Sequence, residues 1–198
     1  MFMPKIEDFH ATGTLAAILH AGTAPAAPGL LAGALVETRD GWTPVERLAP
    51  GDRIATMDGG FCPVLDIERH PVEGQSVIHL PGGALGACSA IDLMPGQDLF
   101  LASRVAEEVL GVGGVRLAAA ALVGRFGIRR RTLAAPADRT VLRFAQEEIV
   151  YANSGLLLHA APTGMSGAGF FERLDGAAAE AMLDLIEAEG QRVFALAA

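Results

Sequence analysis

Lysine is almost absent from this sequence: Lys5 is the only one among 198 residues. Acidic residues outnumber basic residues by 23 to 15, which gives a formal net charge of -8. Nucleic acids and anionic membranes are bound through clustered Lys and Arg, so this balance argues against both as general partners. With 51% hydrophobic and 19% charged residues, the composition is that of a globular protein and not of a disordered tail.

Cysteine is scarce too, with only Cys62 and Cys88. They form no CxxC pair and lie at no spacing from histidine that is typical of a zinc site. One interpretation is that they form a disulfide. The favoured interpretation is that both are buried and act as small hydrophobic side chains. The histidines show no metal-binding spacing either, so we predict no metal and no cofactor; they are His10, His20, His70, His79 and His159.

Charge is missing from residues 11–36. Pro25, Pro28 and many small residues interrupt this stretch, which therefore predicts no membrane-spanning helix. The ten residues before it carry two acids and one lysine, where a signal peptide has a positive start. We expect no signal peptide. The compartment stays open, with synthesis in the cytoplasm followed by export or incorporation into a particle among the possibilities.

Three regions differ in pattern. Residues 1–28 predict an N-terminal arm, with Leu15, Ile18 and Leu19 at helical spacing before a Pro-rich linker. Residues 29–160 contain many short apolar segments separated by Gly and Pro. Residues 161–198 predict a linker and an amphipathic helix that begins after Asp175 and stops at Gly190.

The middle region predicts a mostly β fold of short antiparallel strands. The segment "RDGW" at 39–42 predicts a tight hairpin turn at its Asp-Gly pair. "VRLAAAALVG" at 115–124 suits a strand, although its alanines would also suit a helix. Further predicted strands are 34–38, 53–57, 61–70, 76–80, 98–102, 107–112, 127–133, 140–145 and 147–153.

One stretch is specific: "GALVETRDGWTPVERLAPGDRIATMDGG", residues 33–60, resembles the first sequence block of the bacterial Hint (Hedgehog/intein) family. The segments "GGALG" at 82–86, "LVGRFGIRRRTL" at 122–133 and "EEIVYANSG" at 147–155 resemble its later blocks. The resemblance covers roughly residues 29–160. It implies an all-β horseshoe built from two related halves.

The resemblance also implies a chemistry whose residues are missing here. In the family, a Cys attacks the carbonyl before it, and a His protonates the leaving amine. The place of the Cys falls on Gly29, which has no side chain to form a thioester. The place of a Thr falls on Ala34, and the place of the His falls on Gln97, which cannot shuttle a proton. A late His falls on Glu147 or Glu148.

Three functional hypotheses remain. The favoured one is a catalytically inactive Hint-like domain that serves as a structural or protein-interaction module, for example as a subunit of a cell-surface, secreted or phage-like particle. The alternative is a residual self-processing enzyme that uses Cys62 or Cys88. The third is a small-ligand binder that uses a pocket around Gly29, Gln97 and Asp98.

The favoured hypothesis predicts self-association or a protein partner, bound through the arm and the C-terminal helix. Arg129 to Arg131 form the only basic run, which predicts either a charged edge strand or a contact with an acidic partner. Asp92 and Asp98 flank Gln97, the position of the missing His. A role of these two carboxylates in acid–base catalysis is the less favoured interpretation. The interaction candidates are Leu15, Ile18, Leu19, Arg129, Arg130, Arg131, Met182, Leu183, Leu185 and Ile186.

Overall fold

The structure is a computed structural model that describes residues 26–164 and 169–196, with side chains described up to residue 189. Short β-strands make up most of it. They are β1 (Leu30–Leu31), β2 (Leu35–Thr38), β3 (Gly41–Pro44), β4 (Arg53–Thr56), β5 (Gly60–Pro63), β6 (Asp66–Val72), β7 (Ser76–Leu80), β8 (Ile91–Leu93), β9 (Asp98–Ala102), β10 (Gly114–Ala118), β11 (Arg129–Thr132), β12 (Ala137–Arg143), β13 (Glu148–Ala152) and β14 (Leu156–Ala160).

The strands form two antiparallel sheets. The first has the order β11-β7-β8-β1-β12-β6. The second has the order β10-β9-β14-β13-β2-β4-β5, with β3 added beside β2. Apolar side chains of both sheets share one core, whose largest fully buried members include Phe144, Ile54, Leu99 and Leu158. The predicted mostly β fold is confirmed.

Within the described ranges, two α-helices accompany the sheets, α1 (Arg104–Leu110) and α2 (Gly176–Leu196). The sequence analysis was wrong about 107–112, which it predicted as a strand. The Ser103 hydroxyl accepts the N–H of Val105 at 3.1 Å, and Gly111 ends α1 with a φ of 72°. These two caps satisfy backbone groups that a short apolar alternation does not reveal.

The C-terminal helix begins after Asp175 as predicted, but it continues past Gly190 to Leu196. Ala179, Met182 and Leu183 lie at the i, i+3, i+4 spacing of one helical face, and all three are buried against the core. On the side of α2 that holds Asp184 and Glu187, Arg125 binds both carboxylates, at 2.6 Å and 2.9 Å. The helix is therefore attached to the β domain of its own chain.

Two smaller predictions also need correction. The pairing of Thr38 with Gly41 places Arg39 and Asp40 in the hairpin turn, one residue earlier than the predicted Asp-Gly pair. The segment 115–124 is strand β10 followed by a 3-10 turn, Ala119–Leu122, which contains the alanine run. No helix in the described ranges is long and apolar enough to cross a lipid bilayer.

Candidate functional site

The segment before β1 lies against the turn that leads into β9. The backbone N–H of Met94 donates to the Gly29 carbonyl at 3.0 Å, and the N–H of Gly96 donates to the Ala27 carbonyl at 3.3 Å. A Cβ atom at position 96 would come within 1.7 Å of the Ala26 carbonyl oxygen. Glycine is therefore required at position 96 for this close approach of two backbones.

Gln97 binds the peptide group between Pro28 and Gly29. Its side chain is 3% exposed, and its Oε1 accepts the N–H of Gly29 at 3.1 Å. Its Nε2 donates to the carbonyls of Asp98 at 3.0 Å and His159 at 2.8 Å. Both N–H groups of the amide are thus used, and the oxygen is the atom that faces Gly29. Gln97 thus presents a hydrogen-bond acceptor, and no proton, to the nitrogen of this peptide.

Arg139 occupies the space beside Gly29. Its Nη1 donates to the Pro28 carbonyl at 2.9 Å. Gly29 has a φ of 143°, and a Cβ atom built there would lie 2.5 Å from Cγ of Arg139. A larger residue at position 29 would have to displace the Arg139 side chain and adopt a backbone conformation that L residues rarely take.

Ala34, at the place of the family's Thr, is 2% exposed and belongs to the core. Its N–H donates to the Leu31 carbonyl at 3.1 Å, and its carbonyl accepts from Val45 at 2.9 Å. Its methyl group adds apolar surface to the core and offers no hydroxyl near Gly29.

A cavity of about 170 Å³ lies beside this peptide. Its polar lining comes from Gln97, Asp98, Arg143 and His159, and the rest is mostly apolar. The ligand-binding hypothesis predicts a pocket around Gly29, Gln97 and Asp98. The cavity is lined by Gln97 and Asp98, but by Pro28 in place of Gly29. The lining residues are Pro28, Leu30, Gly96, Gln97, Asp98, Val141, Leu142, Arg143, Val150, Leu158, His159, Ala160 and Ala161.

A charged cluster adjoins this cavity. Nη1 of Arg116 lies 2.7 Å from Oε1 of Glu147 and 2.7 Å from Nε2 of His159, and that ring nitrogen is also 2.7 Å from Oε1 of Glu147. A neutral imidazole nitrogen either donates or accepts. His159 therefore donates to Glu147 or accepts from Arg116, and the guanidinium pairs with the carboxylate in both cases.

Burial and the neighbouring charges shift two pKa values in this cluster. Burial and the positive charge of Arg116 lower the pKa of His159 below 6.5, against the opposing effect of Glu147. Burial raises the pKa of Glu147, but the charge of Arg116 and the N–H of Phe170 outweigh it, so that pKa lies below 4.5. The cluster at neutral pH is a neutral imidazole beside a guanidinium–carboxylate pair.

The cluster also attaches the segment that leads to α2. The N–H of Arg116 donates to the Glu172 carbonyl at 2.7 Å, and its side-chain Nε donates to the Phe171 carbonyl at 3.1 Å. Arg173 pairs with Oδ2 of Asp98 at 2.9 Å. Oδ1 of Asp98 is buried without a hydrogen-bond partner among the described residues.

The other predicted charged residues lie elsewhere. Asp92 accepts from Nε of Arg131 at 2.9 Å and lies 2.9 Å from Nδ1 of His79, so it belongs to an ion-pair group on β7, β8 and β11. Arg129, Arg130 and Arg131 are exposed on β11, which is the edge strand of the first sheet. Asp92 and Asp98 are thus not brought together.

The apolar candidates fall into three groups. Leu15, Ile18 and Leu19 lie outside the described residues. Met182 and Leu183 are buried in the chain's own core, which removes them from any partner surface, and Ile186 is half-buried beside them. Leu185 is 47% exposed.

The cysteines differ from the favoured interpretation of two buried residues. Both are free thiols; Cys62 is half-buried and Cys88 is exposed. Sγ of Cys88 lies 3.0 Å from the hydroxyl of Ser154. Neither cysteine lines the cavity beside Pro28.

Sequence reasoning named Glu147 or Glu148 as the place of the family's late His but missed the cluster of Glu147 with Arg116 and His159. Arg116 and His159 match no motif, and His159 reads as one more strand residue. Among the described residues, no group of three His, Cys, Asp or Glu is arranged to hold a metal ion.

A comparison with protein families gives one decisive match. The family model described as Hint domain matches residues 28–157, which is more than half of the chain. The chain belongs to the Hint domain family. The match begins at Pro28, next to the Gly29 peptide described above. No curated protein matches the chain.

Solved structures are similar to this Hint domain. A bacterial intein-like domain from Clostridium thermocellum has a TM-score of 0.50 at 18% identity, covering 67% of this chain and 99% of its own. A splice-inactive variant of the AceL NrdHF class 3 split intein has 0.48 at 12%, covering 69% and 99%. The gp41-1 intein has 0.45 at 12%, covering 67% and 98%. At these identities the first likeness concerns the fold alone.

Proposed function

We propose that this Hint domain does not process itself and serves as a structural or protein-interaction module. One observation carries the proposal: the Pro28–Gly29 peptide lies between Gln97 and Arg139, and residue 29 has no side chain. An acyl shift needs a nucleophile attached to the residue after the attacked carbonyl. It also needs a proton for the leaving nitrogen, and Gln97 offers that nitrogen an acceptor.

A displaced cysteine does not replace the missing nucleophile in this proposal. Cys62 and Cys88 are absent from the lining of the cavity next to Pro28. A nucleophile must approach its carbonyl to about 3–3.5 Å. We therefore favour the module function over self-processing through either cysteine.

The exposed parts of the chain support a role in assembly. The edge strand β11 presents three arginines in a chain of net charge -8, and Leu185 leaves apolar surface on α2. The segment that begins at Ala26 is bonded to the turn before β9, through the carbonyls of Ala27 and Gly29. A module of this kind presents its arm and its edge strand to a partner or to a second copy.

Light scattering tests the assembly role. We expect the full chain at tens of micromolar to exceed the mass of one chain, and a chain that starts at Ala26 to lose that association while keeping its circular dichroism spectrum. Arg130→Ser on the edge strand and Leu185→Ser on α2 report which other surface contributes. A monomer for the full chain, in the absence of any co-purifying protein, contradicts the module function.

A further inference from the structure

The first sheet ends in two strands that each pair with one neighbour among the described residues, β11 at one side and β6 at the other. The two edges differ in charge. β11 has the sequence Arg-Arg-Arg-Thr, and all four of its residues are exposed. β6 carries Asp66 and Glu68 against Arg69, and it includes Pro71, which has no N–H group. Only the β11 edge is therefore strongly basic.

The backbone of β11 has hydrogen-bonding groups whose direction follows from its antiparallel pairing with β7. The N–H of Leu133, the residue after β11, donates to the Gln75 carbonyl before β7 at 3.0 Å. In an antiparallel pair, residues that bond the partner strand alternate with residues whose backbone groups point away from it. The odd-numbered residues of β11 therefore bond β7. The N–H and C=O groups of Arg130 and Thr132 point away from β7, to the outer edge of the sheet.

Arginine side chains lie on both faces of the sheet beside these backbone groups, because successive residues of a strand point to opposite faces. Arg131 donates from its Nε to Asp92 at 2.9 Å, so a carboxylate accompanies that charge. Arg130 donates to the hydroxyl of Ser76 at 3.2 Å, and this neutral partner leaves its charge in place. Together with the exposed Arg129, the edge presents positive charge above and below its outward N–H and C=O groups.

A second copy of β11 fits this edge poorly. Two β11 strands in antiparallel contact would place their arginine runs opposite each other, and like charges on opposed residues destabilise a strand pair. The same guanidinium groups form strong hydrogen bonds with carboxylates. The edge thus discriminates against pairing with itself and in favour of an acidic strand.

We propose that β11 binds an extended acidic segment of a partner protein, which adds to the first sheet as a further strand. Backbone hydrogen bonds to Arg130 and Thr132 set the register of that segment, and its carboxylates meet the arginine side chains. This inference rests on the proposed interaction function, for which it names the chemistry of one partner. It involves no group at the Pro28–Gly29 peptide.

Amide hydrogen exchange of the full chain, measured by NMR, tests the proposal. The probe is a short blocked peptide in which Glu alternates with Val and Thr. We expect saturating peptide to slow the exchange of the Arg130 and Thr132 amides about fivefold or more, and to leave the amides of β6 unchanged. Unchanged exchange at Arg130 and Thr132 with about 10 mM peptide, tenfold above a dissociation constant of about 1 mM, overturns the proposal.

Two control peptides separate strand addition from simple attraction between charges. The acidic peptide with every backbone nitrogen methylated keeps its carboxylates but donates no backbone hydrogen bond. The peptide with Lys in place of Glu keeps the backbone and reverses the charge. We expect both to bind more weakly than the acidic peptide. Equal binding of the methylated peptide overturns strand addition, and equal binding of the Lys peptide overturns the selection of acidic segments.

Variants assign the binding to β11. Thr132→Pro removes one outward N–H and leaves the hydrogen bonds to β7, so we expect a folded chain that binds the peptide about fivefold more weakly. Arg130→Gln removes one exposed charge and should weaken binding about threefold. Arg104→Gln, the same change on the exposed side of α1, should leave the affinity unchanged. If Arg130→Gln and a folded Thr132→Pro both bind like the wild type, β11 is not the site.

The full chain without peptide shows whether the edge is open. We expect the Arg130 and Thr132 amides to exchange as fast as other exposed amides. Slow exchange there would show that the chain itself, for example its residues 1–25, covers the edge, and would overturn the proposal. A chain that self-associates but binds no acidic peptide rejects this inference alone. A chain that neither associates, co-purifies with a protein nor binds the peptide rejects the interaction function as well.

Discussion

Gln97 and Asp98 are neighbours in the chain, but their side chains lie in different surroundings. The Gln97 amide accepts the N–H of Gly29 and donates to the backbone carbonyls of Asp98 and His159. All three hydrogen bonds are between neutral groups. Asp98 faces Arg173 at 2.9 Å and adjoins the cluster of Arg116, Glu147 and His159. The first surroundings bind the N–H of the Pro28–Gly29 peptide, and the second hold the segment before α2 by charge.

The surroundings of Gln97 and Asp98 differ in the ionisable groups that they contain. The Pro28–Gly29 peptide, which the sequence resemblance predicts at the place of the family's reacting bond, has no ionisable side chain on residue 29 or 97. The charged groups of the cluster are paired with one another and with the backbone of Phe171 and Glu172. Charge there attaches a helix to the fold, whereas the Pro28–Gly29 peptide is bound by the neutral Gln97 amide on its N–H and by one guanidinium, that of Arg139, on its carbonyl.

The largest expected effect comes from removing one charge of the cluster. Arg116→Met leaves Glu147 buried without its guanidinium, and we expect a loss of about 3–5 kcal/mol in the free energy of unfolding. Urea denaturation measures this loss. Arg104→Met is the matched control, because the Arg104 side chain is 80% exposed and its ion pair with Glu108 is long, at 3.6 Å. A cost no larger than that of the control would show that the cluster does not attach the helix by charge.

A smaller effect is expected at the neutral side. Gln97→Leu leaves the N–H of Gly29 and the carbonyls of Asp98 and His159 without their side-chain partner, which should cost about 2–3 kcal/mol. Gln75→Leu, at an exposed position, serves as the control and should stay within about 0.5 kcal/mol of the wild type. If Gln97→Leu matches that control, Gln97 is not what secures the Gly29 peptide.

The smallest effect is a dependence on pH. The pKa of His159 is lower in the folded chain than its unfolded value of 6.5, so the unfolded chain binds the proton more readily. The free energy of unfolding should therefore fall as the pH drops from about 7.5 to about 5.5. His159→Asn should remove this contribution, and His70→Asn controls for the loss of a histidine. If the free energy of unfolding of the wild type rises toward pH 5.5, and His159→Asn shows the same dependence on pH, the expected contribution of His159 is wrong.

Much of the fold could be predicted from the sequence, because alternating apolar segments and Gly turns are local signals. Most strands and the start of α2 were identified in this way, whereas the Hint family was identified by the resemblance of residues 33–60 to its first sequence block. The strand prediction for 107–112 failed because the caps at Ser103 and Gly111 outweigh a short alternation. The end of α2 was predicted wrongly because Gly190 does not stop the helix, which continues to Leu196.

The candidate site was predictable only in part. Gly29 and Gln97 were named because the sequence resemblance places the family's reactive groups there, and the structure joins them by one hydrogen bond. The orientation of the Gln97 amide depends on two carbonyls, one of them 62 residues away. Arg139 and the cluster around Arg116 depend on strand pairing between distant segments, which no local pattern contains.

The intact mass of the chain, after incubation with dithiothreitol or with hydroxylamine, tests the central claim most directly. Both reagents release the N-terminal fragment from a thioester formed at the family's reacting bond. We predict a single species with the mass of the full 198-residue chain under both conditions. A fragment that ends at Pro28, with its partner beginning at Gly29, would contradict the account.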